Sequence, residues 1–509
     1  MQERSKLTII GLILASVSLR LWGAFSDLPY IFHPDEPRYI SIIQGIFKTG
    51  DLNPHFFNYP SMFLYVNALS YLPYYLLGKL TGVFGSSNDI LAPTSLIMGT
   101  SFAPTPSSVI LSRSVTILFA TAAVVLLFFI GRRLTNNTRV GLLAALMMTI
   151  SPTSVANSRF ITPDTYVVFW ELVTLLAATL IFQQGKTWHY VLAGLSVGFT
   201  ASSKYNGALI MLCVVTAHFL RYGWSGIRDY RLYLSALLSI VGFILVTPFS
   251  ILDYQSFLHD LKFEAQHYSA GHAGMEGNAL IWYGSYLWKR EGVVSLLALV
   301  QVIRGLYLRS KATILLSIFA AAYFAFISSY VVRNDRTILP AIPFMILLSS
   351  ILAVDLFGAK FFDSKSPRAI VKVLVFTLAF VVLVTPLWNT VDTSIQLTTV
   401  DSRTTARLWI NSNLPAGAQV AIEPYSPFIN PARFAIQDVG RMIDNTPEWY
   451  INNGFDYLVF SQGMFGRFYR EPDKYSHEIA LYNSLFDKFN LLYTCNDGGY
   501  EIRVYQIKK

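Results

Sequence analysis

Residues 111–139 read LSRSVTILFATAAVVLLFFIGRRLTNNTR. An apolar run of about twenty residues, the length needed to cross the hydrocarbon core of a bilayer, ends in three arginines with no acid among them. Lys and Arg collect on the cytoplasmic side of membrane helices. The stretch therefore predicts a membrane span whose C-terminal end faces inside.

Working outward, runs of the same character occur at 7–25, 139–156, 165–184, 188–203, 206–222, 232–251, 292–309, 312–332, 337–355 and 369–388. The expected fold is mainly α: a polytopic membrane helical bundle of about eleven spans, within a range of 10–13. Composition agrees. Hydrophobic residues make up 53% of the 509 and charged residues 14%, against about 25% charged in soluble domains. A soluble enzyme, a disordered scaffold and a nucleic-acid binder are excluded. The net charge of +9 does not point to nucleic acid. Up to Trp388 there are 28 Lys+Arg against 17 Asp+Glu; beyond it there are 11 against 13. The basic excess lies where loop charges set topology.

Segment 61–84 carries four tyrosines, Pro73 and Lys79. Tyrosine favours the membrane interface, so this segment is expected to lie on the surface rather than cross. With a cytoplasmic N-terminus, the inside segments then hold 16 Lys+Arg against Glu3, Asp229 and Asp363. Met1–Lys6 is basic, but the run 7–25 contains Arg20 and lacks a small-residue cleavage site. It is expected to be an uncleaved first span. Cys213 and Cys495 suggest no disulfide framework. The expected division is a membrane domain over 1–389, with a long first outer loop at 26–110 carrying interfacial helices, and an extracytoplasmic α/β domain over 390–509. In the latter, helices are expected at Ser402–Asn413, Pro447–Asn453 and Ser476–Phe489. Strands are expected at Gln419–Glu423, Asp456–Phe460 and Tyr500–Ile507.

This topology gathers the unusual polar residues on the outer side. Charges near hydrocarbon are expensive and default to function. His33-Pro34-Asp35-Glu36-Pro37-Arg38 places two carboxylates in the first outer loop, with Arg38 one helical turn after Asp35. A carboxylate there suits a general base and the arginine a phosphate; a helix start with acids near its N-terminus gives the same pattern. Arg113 and Arg159 sit at span ends. Asp164 precedes a span, as an N-cap or as a second acid facing Asp35, and Glu171 follows two turns below it. Lys204, in the turn Ser203-Lys204-Tyr205-Asn206-Gly207, suits a phosphate or snorkels to the surface. His267 and His272 lie in a glycine-rich outer loop. With Glu264 or Glu276 they have the ligand types of zinc, and a substrate-gating loop fits equally. Arg333 and Arg336 end an outer segment before Leu339-Pro340-Ala341-Ile342-Pro343 and suit a lipid-linked phosphate.

The ordered set resembles the C-type glycosyltransferases of the protein O-mannosyltransferase and aminoarabinose transferase superfamily, over roughly residues 7–390. It comprises the outer-loop Asp-Glu pair, the GDLNP stretch with Phe57–Pro60, an arginine-opened second span, a pre-span Asp, the Lys-Tyr-Asn-Gly turn and the Arg…Leu-Pro-Ala-Ile-Pro segment. The resemblance implies a GT-C fold and an inverting transferase, hexosyl or pentosyl, that uses a polyprenyl-phosphate-linked sugar on the outer face of a cell membrane. It implies catalytic roles for Asp35, Glu36 and Asp164. Arg38, Lys204, Arg333 and Arg336 would bind the donor phosphate, and His267 and His272 would belong to a substrate loop. Partners would be the lipid-linked donor and membrane lipid. No cofactor is certain, a divalent metal stays open, and the acceptor is undefined: protein, lipid or glycan. The aminoarabinose transferases carry an acid-Lys-Pro-Pro motif where this chain has Asn58-Tyr59-Pro60-Ser61, which argues against a lipid A substrate. The alternative reading is a transporter or flippase of lipid-linked sugars, which would call for repeated halves and mid-bilayer charges.

Overall fold

A computed structural model describes residues 3–357 and 369–507. Four helical stretches are long and apolar enough to cross a membrane: Pro106–Thr135, Pro163–Gln183, Lys311–Ser328 and Asp335–Leu356. All four fall on predicted spans. Thr138–Ile150, Tyr230–Val246 and Val293–Tyr307 are apolar but shorter. Among the described residues four stretches thus meet the length and apolarity of a span, which leaves the expected count of eleven unconfirmed. Residues 358–368, within the predicted inside segment 356–372, lie outside the described residues.

Several predicted spans are broken rather than continuous. The run 139–156 is two helices, Thr138–Ile150 and Pro152–Asn157. Pro152 has no N–H to give to the carbonyl four residues back. Arg20 fills that place. It donates to the Met148 carbonyl at 3.2 Å and to Ser154 Oγ at 2.9 Å, and Thr390 Oγ1 donates to the Ile150 carbonyl at 2.8 Å. A charge inside the first apolar run is thus explained by a helix break 130 residues away. The run 206–222 opens with a 3-10 turn, Tyr205–Ile210, before the helix Met211–Tyr222.

Residues 26–110 fold into helices Glu36–Thr49 and Met62–Leu80 and a small sheet of Tyr30–Ile31, Thr94–Ile97 and Thr100–Phe102. Met62–Leu80 buries Phe63, Leu64, Asn67 and Tyr71, and leaves Leu69 72% and Leu77 63% exposed. The helix is thus buried along one side and exposed along the other.

Helix Ala369–Thr398 runs without a break past residue 389 and leads to Ser402–Asn413. Beyond it stands a five-stranded sheet. Strands Ala435–Asp438, Gln419–Ile422 and Tyr457–Ser461 run parallel; Ile502–Gln506 and Asn490–Cys495 complete it antiparallel. Helices Pro447–Asn452 and Ser476–Lys488 also form where the pattern predicts them. Two strands were not legible. Ala435–Asp438 is a largely exposed edge strand, and Asn490–Cys495 is mostly exposed. Each owes its extension to a neighbour rather than to its own alternation.

Candidate active site

The site is built on a helix start, a helix end and a 3-10 turn. Asp35 is the N-cap of Glu36–Thr49 but makes no side-chain cap, so its carboxylate is free to point elsewhere. It accepts from Arg336 Nη1 at 2.7 Å, across 301 residues of chain. Arg336 sits in the 3-10 turn Asp335–Ala341, which Asn334 caps through the Thr337 N–H at 3.0 Å. Burial pushes the Asp35 carboxyl up. Arg336, then His33 and Arg38, outweigh that and hold it below its ordinary value. His33 Nδ1 accepts the Asp35 N–H at 3.3 Å, and the ring packs on Phe160 at 4.9 Å. Burial holds this imidazole below its ordinary pKa, although Glu36 and Asp35 pull the other way. It is therefore neutral, with Nε2 as its N–H donor.

Asp164 and Lys204 form the second pair. Pro163–Gln183 starts at Pro163, and Asp164 Oδ1 accepts from Lys204 Nζ at 2.8 Å. Asp164 Oδ2 has no partner. Lys204 ends the helix Thr187–Ser203 in an extended conformation. The chain then doubles back so closely that a Cβ on Gly207 would come within 2.7 Å of the Thr200 carbonyl. Only glycine fits that approach. The Lys204 ammonium lies 5.8 Å from the Tyr59 ring centroid. Neighbouring Asn206 has an unpartnered Oδ1.

Lys204, Asn206, Tyr59 and Thr337 head a cavity of about 550 Å³. Leu209, Met211, Leu212, Val215, Phe326 and Ile327 wall the rest of it. Its roof is a latch that sequence reading missed. Helix Tyr254–Ala270 and the cap residue before it present Asp253, Asp260 and Glu264. They accept from Asn53 Nδ2 at 2.9 Å, the Phe57 N–H at 2.8 Å and Asn58 Nδ2 at 2.8 Å. Tyr205 Oη donates to the Phe57 carbonyl at 2.7 Å. The acids stand 7 and 4 residues apart, one stripe of a helix, and that spacing was the available signal.

The other expected residues divide. Glu36 turns to Arg113 rather than to Arg336. It is fully buried, accepts from Arg113 Nε at 3.0 Å, Arg113 Nη2 at 2.7 Å and the Ile161 N–H at 2.9 Å, and Arg113 also holds Asp27 at 2.7 and 2.9 Å. Arg159 is buried as well, giving to the Leu19 carbonyl at 2.8 Å and to Ser394 Oγ. Arg38 is exposed, with its guanidinium 4.5 Å from the Phe56 ring centroid. Arg333 is buried against the Gly277 carbonyl at 3.2 Å. Glu171 is buried with both oxygens unpartnered. His267 and His272 stack at 5.8 Å, and His272 Nδ1 donates to the Ala273 carbonyl at 2.9 Å. Glu264, their expected third ligand, is engaged by Asn58. Among the described residues no three His, Cys, Asp or Glu side chains converge on one point.

Residues 93–262, about a third of the chain, match the sequence profile of the dolichyl-phosphate-mannose-protein mannosyltransferase family. No curated protein matches in sequence. ArnT from Cupriavidus metallidurans, solved with undecaprenyl phosphate, superposes with a TM-score of 0.52 at 16% identity, covering 97% of each chain. The Archaeoglobus fulgidus oligosaccharyltransferase, solved with Zn and sulfate, superposes with a TM-score of 0.58 at 14% identity, over 97% of this chain and 72% of that one. The likeness spans the C-terminal sheet as well as the helices. The chain therefore has the C-type glycosyltransferase (GT-C) fold and is similar over residues 93–262 to the protein O-mannosyltransferases.

Proposed function

We propose that the protein transfers a sugar from a polyprenyl-phosphate donor to an acceptor hydroxyl at the outer face of a cell membrane. Its N-terminus would be cytoplasmic and its C-terminal domain extracytoplasmic. One observation carries the reading: a cavity with apolar walls is lined by Lys204, whose ammonium gives one of its three N–H groups to Asp164, and by Thr337, the neighbour of Arg336 in the Asp35–Arg336 pair. An amphiphile with a long hydrocarbon tail and an anionic head matches both ends, and the tail supplies binding energy remote from the reacting atoms.

In the reaction, Asp35 takes the proton of the acceptor hydroxyl. The acceptor oxygen bonds to the anomeric carbon as the bond from that carbon to the phosphate oxygen breaks. The electron pair leaves on the phosphate, where Lys204 and Arg336 stabilise the developing charge. A single displacement inverts the anomeric centre. Arg38, whose charge reaches Asp35, extends the cationic surface to an incoming headgroup, whereas Arg333 is spent on the Gly277 carbonyl. Asp164 holds Lys204 in place and keeps Oδ2 for a sugar hydroxyl. Glu36 positions the Asp35 turn rather than reacting.

The unpartnered Glu171 within a span is the observation that favours a flippase of lipid-linked sugars instead. Purified protein in nanodiscs, given radiolabelled polyprenyl-phosphate sugars one at a time, separates the readings. Sugar release or transfer that is lost in Asp35→Asn supports the transferase. Movement of lipid between leaflets that Asp35→Asn leaves intact, with no turnover, supports the flippase.

A further inference from the structure

A second cavity, of about 470 Å³, lies between the helical region and the C-terminal sheet. That volume is within the range of small-ligand sites. Phe32, His33 and Phe160 form one wall; Tyr425, Tyr500 and the 396–404 segment form the other. Its charges are cancelled in place: Arg113 pairs with Asp27 at 2.7 Å and Arg403 with Asp401 at 2.8 Å. The remaining polar lining is hydroxyl and amide, from Ser26, Gln396, Thr398, Thr399 and Thr404. A phosphorylated lipid or a charged peptide would find no free counter-charge there. A neutral ring with apolar faces and peripheral hydroxyls would find both aromatic platforms and hydrogen-bonding groups.

A second observation marks the same place. Tyr425 adopts φ +69°, a left-handed conformation that costs a non-glycine residue energy and collects at functional sites. It is held there by its N–H on the Met98 carbonyl at 2.9 Å and by Arg467 Nη2 on its hydroxyl at 2.7 Å. Gly99 makes the room, since a Cβ there would lie 2.4 Å from the Tyr425 ring. The ring is thus forced into the cavity wall, edge-on to Tyr500 at 5.6 Å. Tyr425 also follows the carboxyl end of the parallel strand Gln419–Ile422, the end at which open α/β sheets carry ligands. His33 and Pro34 line this cavity, and the next residue, Asp35, reaches the other way to Arg336, whose neighbour Thr337 lines the lipid cavity.

We propose that this interdomain cavity is the acceptor site and that the acceptor is a neutral carbohydrate, whose hydroxyl is presented across the His33–Pro34 turn to Asp35. The proposal rests on the glycosyltransferase reading and assigns its acceptor class. The test is saturation-transfer NMR on the full chain in nanodiscs, offering neutral methyl glycosides and, separately, a serine- and threonine-containing peptide. Undecaprenyl phosphate binding is measured on the same samples. The expected result is transfer from a glycoside that falls at least fivefold in Tyr500→Ala, which removes a platform, and in Val400→Trp, which fills the space. Undecaprenyl phosphate binding should be retained in both. On wild type, a diazirine-bearing glycoside should crosslink to 396–404 or Tyr500, which needs no variant to fold. Glycoside transfer that is absent or unchanged in both variants, crosslinks elsewhere, or transfer from the peptide alone would overturn the carbohydrate assignment. Failure of wild type to bind undecaprenyl phosphate would instead remove the reading beneath it.

Discussion

Asp35 and Glu36 are chemically near-identical neighbours with opposite surroundings. Glu36 is fully buried and takes three hydrogen bonds, two from Arg113 and one from the Ile161 amide. Asp35 keeps a side chain 32% exposed and has one partner, Arg336. The helix that starts between them turns successive side chains by about 100°, so one enters the core and the other faces the outer groove. A motif of two adjacent acids thus serves two different ends. Saturated pairing makes a frame; incomplete pairing leaves a group able to exchange a proton.

The largest expected effect is on the open member. Asp35→Asn should lower sugar transfer by about 10²–10⁴-fold, the usual worth of a positioned base, with thermal unfolding unchanged. An equal loss in both would collapse the distinction. Glu36→Gln should do the reverse. Leaving Arg113 with one fewer buried partner costs on the order of 3–5 kcal/mol, read as a drop in the unfolding midpoint of detergent-solubilised protein. Transfer lost at full stability would place Glu36 in the chemistry.

Lys204→Met should weaken polyprenyl-phosphate binding by about tenfold, roughly 1.4 kcal/mol, and flatten its dependence on salt. The pH profile gives a finer test. Asp35 is held below its ordinary pKa, chiefly by Arg336 against burial, so it is ionised at neutral pH and its acid limb should lie below the usual carboxylate range. Removing Arg336 withdraws the stabilising charge. Arg336→Met should therefore move that limb to higher pH.

The smallest effect concerns a closed carboxyl of the C-terminal domain. Glu423 in the C-terminal domain accepts from the Ser461 and Met442 amides and the Tyr482 hydroxyl, and burial pushes its pKa up to about 8 despite them. Its folded pKa lies above the unfolded one, so the folded state binds the extra proton. Stability from this group is present at acid pH and is lost as pH rises between about 4.5 and 8. Glu423→Gln should flatten that slope in thermal unfolding without altering transfer at neutral pH.

Much of the fold was legible because it is written in local patterns. The apolar run at 111–131 is one face-independent signal, and the helix Pro106–Thr135 is long enough to span. Helices Ser402–Asn413 and Ser476–Lys488 carry their periodicity in their own residues. The interruptions were not legible. Pro152 advertises a break, but only packing shows that Arg20 supplies the missing donor. The candidate site was legible as a residue set and not as an arrangement. Asp164 and Lys204 are 40 residues apart and Asp35 and Arg336 are 301 apart. No spacing rule spans such distances.

By itself, then, the sequence determined that this chain is a helical membrane protein and which motifs its polar outliers form. Those follow from hydration, since apolar length and loop charge act on each segment separately. Tertiary structure decided which charges are neutralised and which stay available: Glu36 closed by Arg113, Asp164 with one free oxygen, Asp253, Asp260 and Glu264 spent on a latch, and a left-handed Tyr425 held against Gly99. Pairing is a property of distance in space, and burial multiplies its consequence. Residues of the same type, even adjacent ones, acquire different chemistry only when the chain is packed.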